Sequence, residues 1–149
     1  QGAGIMNTLF EGYQPWFGSI PQRISGALVA DRNGKVTTYA SVAMADRGEL
    51  FTPVGTEVYN GMIIGERNRE GDLNVNICKE KKLTNMRAAG SDNTVNLRPP
   101  KQLSLDQFVE FIAEDELVEV TPKSIRLRKM ELDQNKRVSL KRKEKYASA

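Results

Sequence analysis

From residue 23 to residue 78 the chain is a succession of short β-rich runs, each cut by turn residues. That punctuation constrains the fold more than any other feature, because it calls for strands rather than long helices. Residues 24–30 read as a strand, Asp31-Arg32-Asn33-Gly34 as a turn, and residues 35–45 as the returning strand. Asn33-Gly34 is the local signal for a hairpin, since both positions tolerate the positive φ of a type I′ turn. Asp46-Arg47-Gly48 breaks the second strand, residues 57–66 read as a short strand pair or one bent strand, and residues 72–78 as a further strand.

The pattern then changes. Residues 79–98 have no period and are rich in Lys, Arg, Asn, Ser and Thr. A connection of about 20 residues without structure is unusual inside a compact domain, where loops beyond about 12 to 15 residues tend to be functional or disordered. Pro99-Pro100 closes the loop, and Ser104 followed by Gln107 forms a capping box that predicts a helix start. Leu105, Phe108, Val109 and Ile112 follow helical spacing and predict the face laid on the sheet, with Asp106, Glu110 and Glu114 in solvent. Residues 117–120 and 124–130 read as two strands around Thr121-Pro122, the second placing Arg126 and Arg128 opposite the face of Ile125 and Leu127. Beyond Asp133 runs a basic, weakly apolar tail in which a helix is one option and Val138 one of few anchors. The expected class is therefore α+β, mostly β. It is a β-rich domain of hairpins in a barrel-like or mixed sheet, with one amphipathic helix packed on it and a basic tail.

Charge is unevenly spread. Residues 123–149 hold ten Lys or Arg against three acids, a surplus of +7, so with a net charge of +3 the first 122 residues stand at −4. A mildly acidic body with a basic end predicts a polyanionic partner, phosphate backbone being the usual one. No apolar run approaches the roughly 18 residues that span a bilayer, which predicts a cytoplasmic protein without a membrane partner. Cys78 is the single cysteine and histidine is absent, so an intrachain disulfide and a Cys/His metal site are excluded. Cys78 continues the alternation of Leu73, Val75 and Ile77 and reads as a small core or surface thiol.

No GxxxxGK[ST] phosphate loop is present, so this stretch is not expected to bind or hydrolyse GTP, and no catalytic, metal or cofactor residue is assigned. The acids Glu114-Asp115-Glu116 fall at the predicted helix end, where the dipole disfavours them. The plain expectation is a solvated helix end, the sharper one a salt bridge to the basic tail. An enzymatic reading would need a pocket gathering Asp46, Glu114 or Asp115 around a metal.

Several stretches resemble the BipA/TypA family of ribosome-associated translational GTPases: Ala45-Asp46-Arg47-Gly48-Glu49-Leu50-Phe51, Gly55-Thr56-Glu57-Val58-Tyr59-Asn60-Gly61-Met62-Ile63-Ile64-Gly65, Lys81-Lys82-Leu83-Thr84-Asn85-Met86-Arg87-Ala88-Ala89-Gly90-Ser91-Asp92, and Asp115-Glu116-Leu117-Val118-Glu119-Val120-Thr121-Pro122. The resemblance covers most of residues 20–130. It implies that residues 1–17, which open without Met on a glycine-spaced run, are the last strand and linker of a preceding ferredoxin-like domain. Residues 18–132 would be the family-specific C-terminal domain and 133–149 its basic tail. GTP and magnesium would belong to a GTPase domain outside this chain. It further implies a ribosome-bound factor linked to large-subunit assembly and to growth under stress, whose loop reaches large-subunit rRNA and the acceptor end of A-site tRNA.

For the loop, Lys79, Lys81, Lys82, Arg87 and Arg98 supply charge, Thr84, Asn85 and Ser91 can hydrogen-bond RNA, and Met86 can pack on a sugar or base or plug back into the domain. Arg126, Arg128, Lys136, Arg137, Lys141, Arg142 and Lys143 complete the candidate RNA-binding set. Tyr13 and Trp16 are expected as packing anchors rather than base-stacking groups. The competing reading is a protein-interaction module that docks on ribosomal proteins or on the remaining domains of the same factor. No small-molecule substrate is expected.

Overall fold

The computed structural model describes residues 7–16, 23–81 and 97–147. Its elements are β1 (Ala27–Ala30), β2 (Gly34–Lys35), α1 (Thr38–Met44), β3 (Gly48–Leu50), β4 (Glu57–Val58), β5 (Met62–Arg67), β6 (Leu73–Val75), α2 (Leu105–Phe111), β7 (Glu116–Val120), β8 (Ile125–Lys129) and α3 (Gln134–Ala147). Residues 7–16 carry neither helix nor strand, and Tyr13 and Trp16 are exposed, so neither anchors packing on the described domain.

The main sheet runs β6-β1-β5-β8-β7, with β3 added to β5. It is mixed: β1 and β6 are parallel, and every other pairing is antiparallel. β5 is the spine. It pairs with β1 along one side, while on the other β8 takes Met62 and Ile63 and β3 takes its last three residues. All four residues of β1 are buried, which explains why it reads Ala-Leu-Val-Ala without polar alternation: both faces of the sheet are covered. Leu28, Ala30, Met62 and Ile64 belong to one core with α1, whereas Ala27, Val29, Ile63 and Leu127 belong to a second with α2. The class is thus the expected α+β with a mixed sheet, but with three helices among the described residues rather than one.

The hairpin predicted across Asn33-Gly34 does not form. Gly34–Lys35 pairs with Glu57–Val58, and the Asn33 side-chain oxygen accepts the backbone N–H of Asn60 at 2.9 Å. Most of the predicted returning strand is helix α1. Thr37 caps it, its hydroxyl oxygen accepting the N–H of Ala40 at 3.2 Å, and Val36, Ala40 and Met44 are buried at four-residue spacing together with Ser41. Four-residue spacing makes one helical stripe, and that periodicity decided the segment over its β-branched content.

Helix α2 starts where predicted, with both halves of the capping box formed between Ser104 and Gln107. Its buried face is different from the expected one. Phe108, Phe111 and Ile112 pack on the second core, with Phe51 edge-on to Phe111 at 5.2 Å and to Phe108 at 6.4 Å, while Leu105 and Val109 stand exposed. The shift of the stripe toward Phe111 brings three aromatic rings together, a larger apolar contact than two aliphatic side chains would make. β7 and β8 form the predicted strand pair, in continuous register from Glu116↔Lys129 to Val120↔Ile125.

Candidate nucleic-acid interface

Both ends of the 79–98 connection are tied to α1 and its neighbours. On the outgoing side, the Thr37 N–H donates to the Ile77 carbonyl at 3.1 Å and the Thr37 hydroxyl donates to the Lys79 carbonyl at 2.5 Å. One residue therefore caps α1 and fixes the start of the loop. On the returning side, residues 97–100 wall a small cleft together with Ser41, Val42, Ala45 and Gly48, and the Lys101 N–H donates to the Leu50 carbonyl at 2.8 Å. A seven-residue helix is about 10 Å long, so both stems leave the domain from one small region. Lys79, Lys81 and Arg98 stand exposed there. Lys82, Thr84, Asn85, Met86, Arg87 and Ser91 lie outside the described residues.

Cys78, at the head of the outgoing stem, is half-buried beside Gly34, where an added Cβ would come within 2.8 Å of its sulfur. Burial, helped by the nearby Asp31 charge, pushes its thiol pKa up, the opposite of an activated nucleophile.

The expectation of a solvated acidic helix end is overturned at Glu116 and Asp115. Glu116 has a fully buried side chain and takes two bonds from the Arg23 guanidinium, at 2.8 and 2.9 Å, and one from the Lys129 ammonium at 2.7 Å. Lys129 is itself buried and also meets Asp72 at 2.7 Å and Asp115 at 3.1 Å. Lys141 of α3 closes the network onto Asp72 at 3.2 Å and Asp115 at 3.7 Å. Three cations thus meet three carboxylates, and the salt bridge to the basic tail exists. Burial opposes ionisation of Asp72, but hydrogen bonds from Lys129 and the Ala27 N–H, with the charges of Lys129 and Lys141, outweigh it and hold its carboxyl at about 2. For Lys129, burial favours the neutral amine, and its bonds to Asp72 and Glu116 reverse that and raise its pKa. Arg23 also lies over the Phe111 ring, 4.1 Å from the centroid, a cation–π contact that joins the network to α2. Glu114 alone of the three acids stays exposed.

The basic tail is helix α3, capped by Asp133, whose carboxylate accepts the N–H groups of Asn135 and Lys136. Its anchors are polar. Arg137 is buried and donates to the carbonyls of Glu131 and Leu132, at 2.9 and 2.6 Å, and to the Asn74 side chain at 2.6 Å. Val138, expected as an anchor, is exposed. Of the candidate residues in the tail, Arg137 and Lys141 therefore hold the helix to the body, and Lys136, Arg142 and Lys143 face outward. Arg126 and Arg128 do lie across the sheet from Leu127, but that face is itself a packed one. Arg126 pairs with Glu119 at 3.5 Å, and Glu119 accepts the Tyr59 hydroxyl at 2.9 Å. Burial and that bond push the Tyr59 phenol up to about 12.

Sequence reasoning missed Arg23, Asp72, Asn74 and Lys129. A signal was present: Glu116 and Lys129 continue the period-2 rows of Val118 and Leu127 on the core face, where a charge must be paired.

Asp46 and the pair Glu114–Asp115 line different clefts. Among the described residues no group of three His, Cys, Asp or Glu is placed to hold a metal, and no helix is long and apolar enough to cross a membrane.

A mixed sheet covered by a helix on each face, with a polar-anchored basic helix at the edge, defines an α+β domain class. The TypA/BipA C-terminal domain matches residues 25–134, and the chain belongs to that family. It is similar to the large ribosomal subunit assembly factor BipA of Bacillus subtilis, 46% identical over 99% of this chain and 24% of that protein. Proteins of the same name from Synechocystis sp. and Salmonella typhimurium are each 48% identical, over 87% and 91% of the chain and 22% and 23% of their own lengths. The chain thus spans about a quarter or less of these relatives.

Proposed function

We propose that this chain is the ribosome-binding, RNA-contacting end of a BipA-like translational GTPase. The observation that carries the reading is how the fold sorts its cations. Arg23, Lys129 and Arg137 are turned inward and satisfied and Lys141 is paired at the surface, whereas Lys79, Lys81, Arg98, Lys136, Arg142 and Lys143 are exposed and make no ion pair among the described residues. A structural role for the outward set would have drawn in acids from the body. A phosphate backbone is the partner that uses such a set.

The names of the relatives point to the large ribosomal subunit. In this reading the loop at 79–98 meets large-subunit rRNA and the acceptor end of A-site tRNA, and the protein serves subunit assembly and growth under stress. Residues 1–17 are then the end of a preceding ferredoxin-like domain. GTP, magnesium and hydrolysis belong to a GTPase domain elsewhere in the factor, so this stretch acts without catalysis of its own, in the cytoplasm.

The test is the affinity of the chain for purified large subunits across a salt series, beside a variant with Lys81, Lys82 and Arg87 changed to alanine. Binding should weaken steeply with salt, and the triple change should weaken it roughly 10-fold or more, as expected for lost phosphate contacts. Salt-insensitive binding that the triple change leaves intact would instead assign the chain to a protein interface.

A further inference from the structure

We propose that a second anion site lies away from the loop and the basic helix, in the cleft of about 320 Å³ walled by Arg47, Arg67 and Arg69, and that it holds a phosphate of an RNA backbone. The assignment of RNA rests on the RNA-binding reading above; the site itself rests on its own geometry.

Three arginines line this cleft: Arg47 from the turn that leaves α1, Arg67 from the end of β5, and Arg69 from the turn between β5 and β6. Their backbones are pinned. The Arg47 N–H donates to the Met44 carbonyl at 2.9 Å, and the Arg47 carbonyl accepts from the Asn68 N–H at 3.0 Å. Gly26 fixes the other two, accepting the Arg67 N–H at 2.8 Å and donating to the Arg69 carbonyl at 2.9 Å. The Arg67 side chain is held as well, its Nη1 donating to the carbonyls of Glu70 and Gly71 at 3.1 and 2.9 Å.

None of the three arginines makes an ion pair among the described residues. Asp46, the one acid lining the cleft, gives its carbonyl to the Asn68 amide and sits beyond ion-pair distance of all three. Like charges gathered on a pinned backbone repel unless an anion joins them. Guanidinium groups suit phosphate because their planar N–H pairs match two oxygens at once.

Position favours a polymer over a free ion. Ala45 and Gly48 line one cleft together with Arg98 of the returning stem, and Asp46 and Arg47, between them in sequence, line the arginine cleft. A single phosphodiester strand that meets Arg98 at the stem would reach this cleft along the same edge.

The experiment compares the full chain with the double variant Arg47→Gln, Arg69→Gln, leaving Arg67 to brace its turn. Binding of a mixed-sequence 12-nucleotide single-stranded RNA is followed by fluorescence anisotropy over a salt series, and inorganic phosphate is titrated while the arginine Nε–H signals are read by NMR. The expected result is RNA affinity lower by roughly 10-fold in the variant, a salt slope shallower by about 0.7 for the one phosphate released, and an unchanged far-UV spectrum. RNA binding that is absent, or equal in variant and parent, overturns the proposal. Phosphate-induced shifts of these arginines with RNA affinity unchanged would make the cleft a small-anion site and overturn the RNA assignment. Ribosome binding is read separately with whole subunits, so the loss of one reading leaves the other measurable.

Discussion

Replacing Lys129 by methionine tests whether the buried charge network holds the fold together. Its ammonium lies 2.7 Å from both Glu116 and Asp72 and 3.1 Å from Asp115, and the side chains of Lys129 and Glu116 are 1% and 0% exposed. Methionine keeps most of the volume and removes the charge, which turns a balanced set of three cations and three anions into one with an uncompensated buried negative charge. Breaking a buried pair from one side typically costs about 3–5 kcal/mol. Here Glu116 keeps both bonds from Arg23, and Asp72 keeps the Ala27 N–H and Lys141, so the lower end, about 3 kcal/mol, is expected. Urea unfolding followed by far-UV circular dichroism measures it; Trp16 is exposed outside the domain and is a poor reporter. The control is Lys35→Ala, whose 4.0 Å pair with Glu57 is solvent-exposed and should cost less than about 0.5 kcal/mol. A Lys129→Met variant no less stable than the control, at an unchanged slope, would refute the reasoning.

Three further outcomes follow from the same geometry. Because the folded Asp72 carboxyl sits at about 2, below its ordinary 3.8, the unfolded chain takes up that proton first as pH falls. About 2 kcal/mol of stability should therefore be present above pH 4 and be lost between about pH 4 and 2, and Asp72→Asn should flatten acid denaturation curves over that window. Arg137→Ala should speed hydrogen exchange throughout α3 by removing the bonds to Glu131, Leu132 and Asn74, whereas Lys136→Ala should leave exchange unchanged and make RNA binding less salt-dependent. Gly48→Ala should unfold the domain or cost more than about 3 kcal/mol, read as a fall in Tm, since a Cβ there would lie 2.0 Å from the Glu66 carbonyl oxygen.

How much of this was legible in the sequence depends on whether the signal was local. The capping box at Ser104, the β7–β8 pair around Thr121-Pro122 and the strand at 73–75 rest on neighbouring residues and were readable. Asn33-Gly34 is a local signal too, yet it failed, because a distant partner, Glu57–Val58 of β4, competes for the strand and Thr37 starts a helix at once. The interface divided in the same way. Exposed cations at the loop stems could be named from composition, but nothing in the run of tail residues separates Arg137 and Lys141 from Lys136, Arg142 and Lys143. Their partners Asp72 and Asn74 lie more than 60 residues upstream, and only the fold brings them together.

That division bears on how the basic helix is used. An apolar stripe would have docked α3 irrespective of salt, but Val138 and Leu140 are about half exposed, and the helix is held by Arg137 and Lys141 instead. Polar docking sets the helix in one rotation, with Arg137 and Lys141 a turn apart on the attached side and Lys136, Arg142 and Lys143 exposed. The ion pairs of Lys141 are solvent-accessible and weaken with salt, whereas the bonds of Arg137 to carbonyls and to an amide are shielded and carry no opposing charge to screen. The ionic strength that would loosen a phosphate backbone from the outer face therefore loosens only part of the inner attachment. On the RNA-binding proposal, the helix would keep its place on the body while its hold on a polyanion is tuned.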